Sequence, residues 1–461
     1  MKKQIYLVSL ITCLSCFLLL NSNLVLAEEP LNEDDLFSGE ETVVDSQEVI
    51  NNGADEELKQ KRIGFSGEIS SNSTYTSYST GYTPDDEKVD NQITADFYLD
   101  IRLTGGVKSF LSVEANYYPE GKEEYTTITL NEDTPPLGEK GDEIKLSSKK
   151  YTDLEFKEFF VDTNWHNKVY FRTGKQVLKW GRSYYWNPTD LINIERKDFF
   201  DMDKSREGAY GVKVHIPSGA KRNGYFFIKM DDSGDDQTET LEDISLTGKY
   251  EFLVGNTEMS FSAWAKENNK PVFGYDISSR VFGLDIRGEL SVSNADLYYK
   301  MDYDTLELEK ENGEAIPRAS LGFTKYFDHG EINDRISITG EFYYNGNGYE
   351  KNIFEKIKTA SEDQQILFLD KVYQPYMNSK YYFAVFTSVN KFLDPDLTLN
   401  INAITNLIDH SGTVTCGISY NPYLTDFYVN LDLNGFFGDD NAEAKLNGEK
   451  ASASLGLKVL F

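Results

Sequence analysis

Cysteine is almost missing from this 461-residue chain: Cys13 and Cys16 fall in the first sixteen residues, which leaves Cys416 alone. No intramolecular disulfide can form in the remainder. Histidine is as scarce, at four. With a single cysteine beside them, these are too few for a zinc-type site, so neither a metal nor a cofactor is expected. Beyond residue 20 no apolar run approaches the roughly 20 residues that a spanning helix needs. Basic residues are outnumbered too. The 46 Lys and Arg stand against 76 Asp and Glu, for a net charge of -30, which argues against nucleic acid as a partner. Enzyme signatures are also lacking: no nucleophile elbow, no phosphate loop and no paired-histidine motif. The chain is therefore not expected to be an enzyme. A hydrolase assembled from residues distant in sequence would have only His166, His215, His329 and His410 as imidazole bases.

The N-terminus is basic and then apolar. Lys2 and Lys3 precede an apolar stretch from Ile5 to about Leu20, and Val25-Leu26-Ala27 stands before Glu28. This order predicts a secretory signal peptide over residues 1–27, cleaved between Ala27 and Glu28. Cys16 lies inside the apolar run rather than at its end, which argues against a lipidated N-terminus. Loss of Lys2 and Lys3 takes the net charge to about -32. Residues 28–61 are acidic and polar with no sustained period. They read as a flexible periplasmic leader.

From Arg62 a period of two sets in and recurs to the last residue. Ile93, Ala95, Phe97, Leu99 and Ile101 share one strand face, and Asp96, Asp100 and Arg102 share the other with Thr94 and Tyr98. Leu111, Val113, Ala115 and Tyr117 repeat the pattern against Ser112, Glu114 and Asn116. Phe427, Val429, Leu431 and Leu433 do so against Asn430, Asp432 and Asn434. A soluble β-sandwich alternates in the same way, but three features favour a membrane barrel. The strand candidates reach about ten residues. Tight connections such as Trp165-His166-Asn167, Gly255-Asn256 and Asp394-Pro395 alternate with long polar stretches near 121–150, 181–208, 231–242, 304–315, 346–379 and 435–449. The chain ends on Leu455, Leu457, Val459 and Phe461 at alternate positions, in the manner of the C-terminal signal that the barrel-assembly machinery reads. The expected fold class is all-β. It is a transmembrane antiparallel β-barrel of about 18 strands over residues 62–461, with short periplasmic turns and long outer loops. Thirty Tyr and 29 Phe suit the aromatic girdles of such a barrel.

The most distinctive stretch is Gly174-Lys175-Gln176, then Trp180-Gly181, then Asn187-Pro188-Thr189-Asp190. It resembles a widespread group of Gram-negative porin-like barrels, in which a strand ending Gly-Arg-Gln and Trp-Gly leads into an Asn-Pro loop with an acidic residue. The resemblance covers residues 150–300 and the C-terminus. Lys175 stands where arginine is usual. The resemblance implies an outer-membrane barrel and passive transport, without naming a solute.

The residues give a parallel reading. A charge on the lipid face near mid-depth costs about 2–4 kcal/mol, so Arg172 belongs inside with Gly174 and Gln176, opposite Val169 and Phe171. Trp180 and Trp186, near the strand end, suit an interfacial girdle. Thr189 or Asp190 can cap a short helix. The stretch Asn187–Arg206 carries Asp190, Arg196, Lys197 and Asp198, and is a candidate pore constriction if it folds inward; the alternative is an outward surface loop. The other pore-lining candidates are Arg182, Lys213, His215, Asp285 and Arg287, whose charges either set selectivity or pair to stiffen the wall. Residues 352–372 turn to helical spacing, with Ser361 and Gln364 as a capping box, and form either a lid or packing on the rim. The expected function is a porin-like outer-membrane channel for passive diffusion of small polar or charged solutes. A non-channel surface barrel, adhesive or structural, is the rival, and a barrel enzyme the third reading. Expected partners are outer-membrane lipid and lipopolysaccharide, the assembly machinery, small solutes and a second copy of the chain.

Overall fold

A computed structural model describes residues 62–461 except 80–86, 104–105, 130–142, 194–207, 231–243, 295–298, 311–314, 331 and 424. The expected signal peptide and leader lie outside the described residues. The strands are β1 (Ile63–Tyr78), β2 (Glu87–Arg102), β3 (Lys108–Thr129), β4 (Glu143–Trp165), β5 (Val169–Gln176), β6 (Ala209–Pro217), β7 (Arg222–Met230), β8 (Ile244–Val254), β9 (Thr257–Lys266), β10 (Val272–Val281), β11 (Leu284–Asn294), β12 (Tyr299–Met301), β13 (Leu308–Lys310), β14 (Ala315–His329), β15 (Ile332–Asn345), β16 (Tyr381–Asn390), β17 (Leu397–Asn406), β18 (Gly412–Tyr420), β19 (Phe427–Phe437) and β20 (Glu449–Leu460). All but β12 and β13 form one 18-stranded sheet, antiparallel throughout, in which each strand pairs with its neighbours along the chain. The sheet closes where β1 meets β20, in register from Glu68 opposite Leu460 to Ser77 opposite Ala451. The expected barrel and strand number are thus observed.

Alternation explains which face turns out. Ile93 and Phe97 are exposed and Asp96 between them is buried. The same holds for Leu431 and Leu433 around half-buried Asp432. An outer surface this apolar is stable only against lipid. Tyr75, Tyr117, Tyr210 and Tyr381 ring its outer end, and Phe65, Trp165, Phe327 and Phe461 its periplasmic end, as interfacial girdles do.

One long connection differs from expectation and another bears it out. Residues 121–150 are not simply a loop: β3 and β4 stay paired out to Thr129 opposite Glu143. The β-branched run Thr126-Thr127-Ile128-Thr129 suits extended backbone. The stretch 352–372 does form helices, α1 (Ile353–Lys358) and α2 (Glu362–Lys371). The capping box of Ser361 and Gln364 is formed at the start of α2. The helices pack through Ile353, Phe354, Ile357 and Phe368 on Met301 of β12 and on Tyr349, making a small apolar core of their own above the rim.

The closing seam ends on Phe461. Its N–H donates to the Gly67 carbonyl and the Gly67 N–H donates to its carbonyl, each at 2.9 Å. Its ring lies 6.1 Å from Phe65 and 6.2 Å from Phe97, and a Cβ on Gly67 would strike it. Deleting Phe461 removes two ladder bonds and an aromatic contact worth ~0.5–1.5 kcal/mol. The expected outcome is a lower folded yield, read by heat-modifiable gel mobility. Gly67→Leu should do the same by steric means.

Candidate functional site: a loop folded into the lumen

The strand β5 ends early. Gly174 has φ +130°, and a Cβ there would collide with the Phe159 carbonyl and the Phe160 backbone, so only glycine allows this close turn. Beyond it the chain leaves the wall and enters the barrel. The Val177 N–H donates to Glu158 Oε1 at 2.8 Å. Leu178, Trp180 and Ile192 then bury against Phe227 of β7. Leu191, in a single 3-10 turn Leu191–Asn193, packs on Trp264 and Val272. Trp186 is fully buried, stacked on Tyr343 at 5.4 Å with ring planes 5° apart. The tryptophans expected in a lipid girdle are therefore inside the lumen. A strand-end position alone could not distinguish the two, because both sites are apolar and flank the same turn.

Five wall carboxylates and one arginine fix this part of the loop's path. Glu341 on β15 accepts the N–H groups of Tyr184 (2.7 Å), Tyr185 (3.2 Å) and Trp186 (2.7 Å). Glu289 on β11 accepts those of Arg182, Ser183 (2.6 Å) and Thr189 (2.9 Å), and the Thr189 hydroxyl at 2.7 Å. The Arg182 guanidinium pairs with Asp276 of β10 and Glu258 of β9, and reaches Glu251 of β8 at 3.5 Å. The Ser183 hydroxyl meets that of Ser320 on β14 at 2.6 Å. A loop without regular structure leaves peptide N–H groups unpaired, and burying them costs about 1–3 kcal/mol each. The two glutamates supply the acceptors, and Arg182 balances the charge brought in beside them.

The other sequence-derived candidates take distinct places. Arg172 forms a two-point pair with Asp162 (2.7 and 3.0 Å) and lies 3.8 Å from the centre of the Phe160 ring. Lys213 is its cross-strand neighbour on β6, buried beside Tyr225. His215 is buried between the Tyr170 and Tyr225 rings, with Nε2 3.1 Å from Asn223. Gln176 is buried at the loop's start and donates to main-chain carbonyls. Asp190 stays within the loop, accepting from the Trp180 N–H at 3.2 Å and from Asn193. Asp285 pairs with Arg280 near the β10–β11 turn, and Arg287 lies half-buried between that turn and Glu289. Arg196, Lys197 and Asp198 lie outside the described residues. The structure thus brings Arg172 and Lys213 together on one stretch of wall, and sets Arg182 among carboxylates on β8–β10. Glu341, Asp276, Glu258 and Glu251 were not singled out in the sequence. The period-two pattern marks Glu341 as inward between Gly340 and Phe342, but nothing local shows that a loop 155 residues upstream needs it.

Above the loop sits the helical cap. Trp186 Nε1–H donates to the Tyr376 carbonyl at 3.0 Å. The connection between β19 and β20 returns Glu443, which accepts from the Tyr376 N–H (2.8 Å), the Tyr382 hydroxyl (2.9 Å) and Asn406 (2.8 Å). Burial first, and then the nearby Asp409 carboxylate, push the Glu443 carboxyl up to about 8. A raised folded value means the folded tie prefers the proton. Its stability is full below the ordinary glutamate range near 4.5 and is lost as pH climbs through 8. Protease cleavage within residues 438–448 should therefore quicken as pH rises from about 5 to about 9, and Glu443→Gln should flatten that dependence.

Glu341→Ala leaves three peptide N–H groups without an acceptor, the two buried ones at ~1–3 kcal/mol each. The barrel ladder does not use this side chain. The variant should keep its barrel, seen in unchanged β-sheet circular dichroism, while the loop becomes sensitive to added protease near Tyr184.

No protein-family model and no curated protein matches this sequence. Solved structures do match in shape. OccAB1 of Acinetobacter baumannii is 11% identical with a TM-score of 0.54, over 87% of this chain and 96% of that one. OccAB4 of the same organism is 8% identical with a TM-score of 0.52, over 87% and 99%. A BenF-like porin from Pseudomonas fluorescens Pf-5 is 10% identical with a TM-score of 0.50, over 87% and 99%. At such low identity the likeness establishes the fold: this chain is a closed 18-stranded antiparallel barrel of the architecture those proteins share.

Proposed function

We propose that the chain is a porin-like outer-membrane channel for passive diffusion of small polar or charged solutes. The observation that carries this reading is the loop from Val177 to Asn193. It lies inside the barrel, tied to β8–β11 and β15 by the carboxylates above and to β14 through the Ser320 hydroxyl. A barrel of about 18 strands encloses an aqueous lumen, and a loop held against one side narrows it without filling it. The shape likeness to a protein described as a porin agrees with this. The signal sequence, the terminal Phe461 and the girdles support export to the outer membrane of a Gram-negative cell. There the partners would be lipid, lipopolysaccharide, the assembly machinery, passing solutes and a second copy of the chain. No energy source is called for.

Purified full-length protein in planar bilayers should give discrete ion-conducting steps. Glu289→Ala combined with Glu341→Ala should enlarge them, since the loop loses its wall anchors. Absence of steps in both forms would mean a filled, non-channel barrel. Membrane fractionation with N-terminal sequencing should find the mature chain starting at Glu28 in the outer membrane.

A further inference from the structure

The two sides of the lumen differ in chemistry. The inward faces of β8–β11 hold Lys249, Glu251, Glu258, Asp276, Arg287 and Glu289, and several of these are committed to one another or to the loop. Lys249 lies 2.7 Å from Glu251, and Asp276 and Glu258 hold Arg182. Across the barrel the inward faces of β17, β18 and β19 carry a single charged residue, Asp432. The rest are amides, hydroxyls, a glycine and, towards the ends of the strands, Ile404, Tyr428 and Phe436.

These neutral groups are in register. Asn402 stands opposite Thr415, Thr415 opposite Asn434, and Asn434 opposite Ser452 of β20. The Thr415 hydroxyl donates to Asn434 Oδ1 at 2.7 Å and Asn434 Nδ2 donates to Ser452 Oγ at 3.1 Å. Asn400 flanks this row one step along β17, and on β19 Asp432 and then Asn430 follow Asn434. All are half-buried, so each keeps polar capacity towards the lumen.

We propose that this face is the solute-binding wall of the channel and that it takes uncharged polyhydroxylated solutes, the sugars; the proposal rests on the channel reading. On β17–β19 a wall that is neutral but for Asp432 gives an anion no counter-charge, and a cation only one, to replace its hydration. An amide or hydroxyl both donates and accepts, so it exchanges partners with a sugar hydroxyl at little net cost. Repeats of about 4.8 Å across strands and about 6.7 Å along them are on the scale of one pyranose ring. A moving sugar therefore meets the next set of partners before leaving the last. Phe436, at one end of the inward face of β19, offers a ring face for the apolar side of a sugar.

The test uses full-length protein in planar bilayers with maltose, lysine or glutamate added to one side. Maltose should interrupt the ion current at lower concentration than lysine or glutamate. Asn402→Leu with Asn434→Leu should raise its half-blocking concentration about tenfold, equivalent to ~1.4 kcal/mol. Should that pair not fold, Asn402→Asp with Asn434→Asp keeps the shape and adds charge. It should weaken maltose and strengthen lysine. Stronger block by either charged solute in the unaltered protein, or maltose block unchanged in both variants, overturns the proposal while leaving the channel standing. Absence of any ion current overturns the channel reading itself.

Discussion

Every peptide group that crosses lipid has to find its hydrogen-bond partner within the chain, because the hydrocarbon offers none. A sheet meets this demand only when its first and last strands meet. In this protein they do so along β1 and β20, from Glu68 opposite Leu460 to Ser77 opposite Ala451. The remaining seams are local hairpins or near neighbours, but this one joins residues almost 400 positions apart. The chain's last residue completes it. The close fit of the Phe461 ring over Gly67 is a condition of closure, and closure is a condition of everything inside.

Once closed, the barrel becomes a frame that can hold an irregular segment. The loop after β5 has no ladder of its own, yet it is buried. Its N–H groups are met by Glu289 and Glu341, which project from strands that reach the loop only because the sheet has curled round. The arrangement also uses the carboxylates economically. Asp276 and Glu258 bind Arg182, so the loop carries in the cation that offsets the acidic wall. Trp186 links the loop to Tyr376, and Glu443 links Tyr376 to the last outer connection. The inward loop and the cap thus share a chain of contacts, and a change at the outer surface has a physical route to the lumen.

The barrel is the part most legible in the sequence. Alternation in 93–101, 111–117 and 427–433 assigns inward and outward faces, because a strand turns each successive side chain to the opposite side. Capping at Ser361 and Gln364 fixes where α2 starts, because the partners are three residues apart. The pairing of β3 and β4 over residues 122–129 and 143–150 was harder to read, since a polar stretch without clear alternation suits a loop as well as a strand.

The sequence by itself determined the barrel class, the inward or outward face along the clearest strands and the start of α2, since each depends on neighbours within a few positions. Only the tertiary structure decided what those inward groups do. Arg172 meets Asp162 ten residues away, within reach of a pattern argument, but Arg182 meets Asp276, Glu258 and Glu251, and Trp186 meets Tyr343, only after the sheet has closed. Whether Trp180 and Trp186 face lipid or lumen turns on the kink at Gly174 and on acceptors more than a hundred residues downstream. Local periodicity carries no information about either, because the energy that settles them comes from contacts that closure creates.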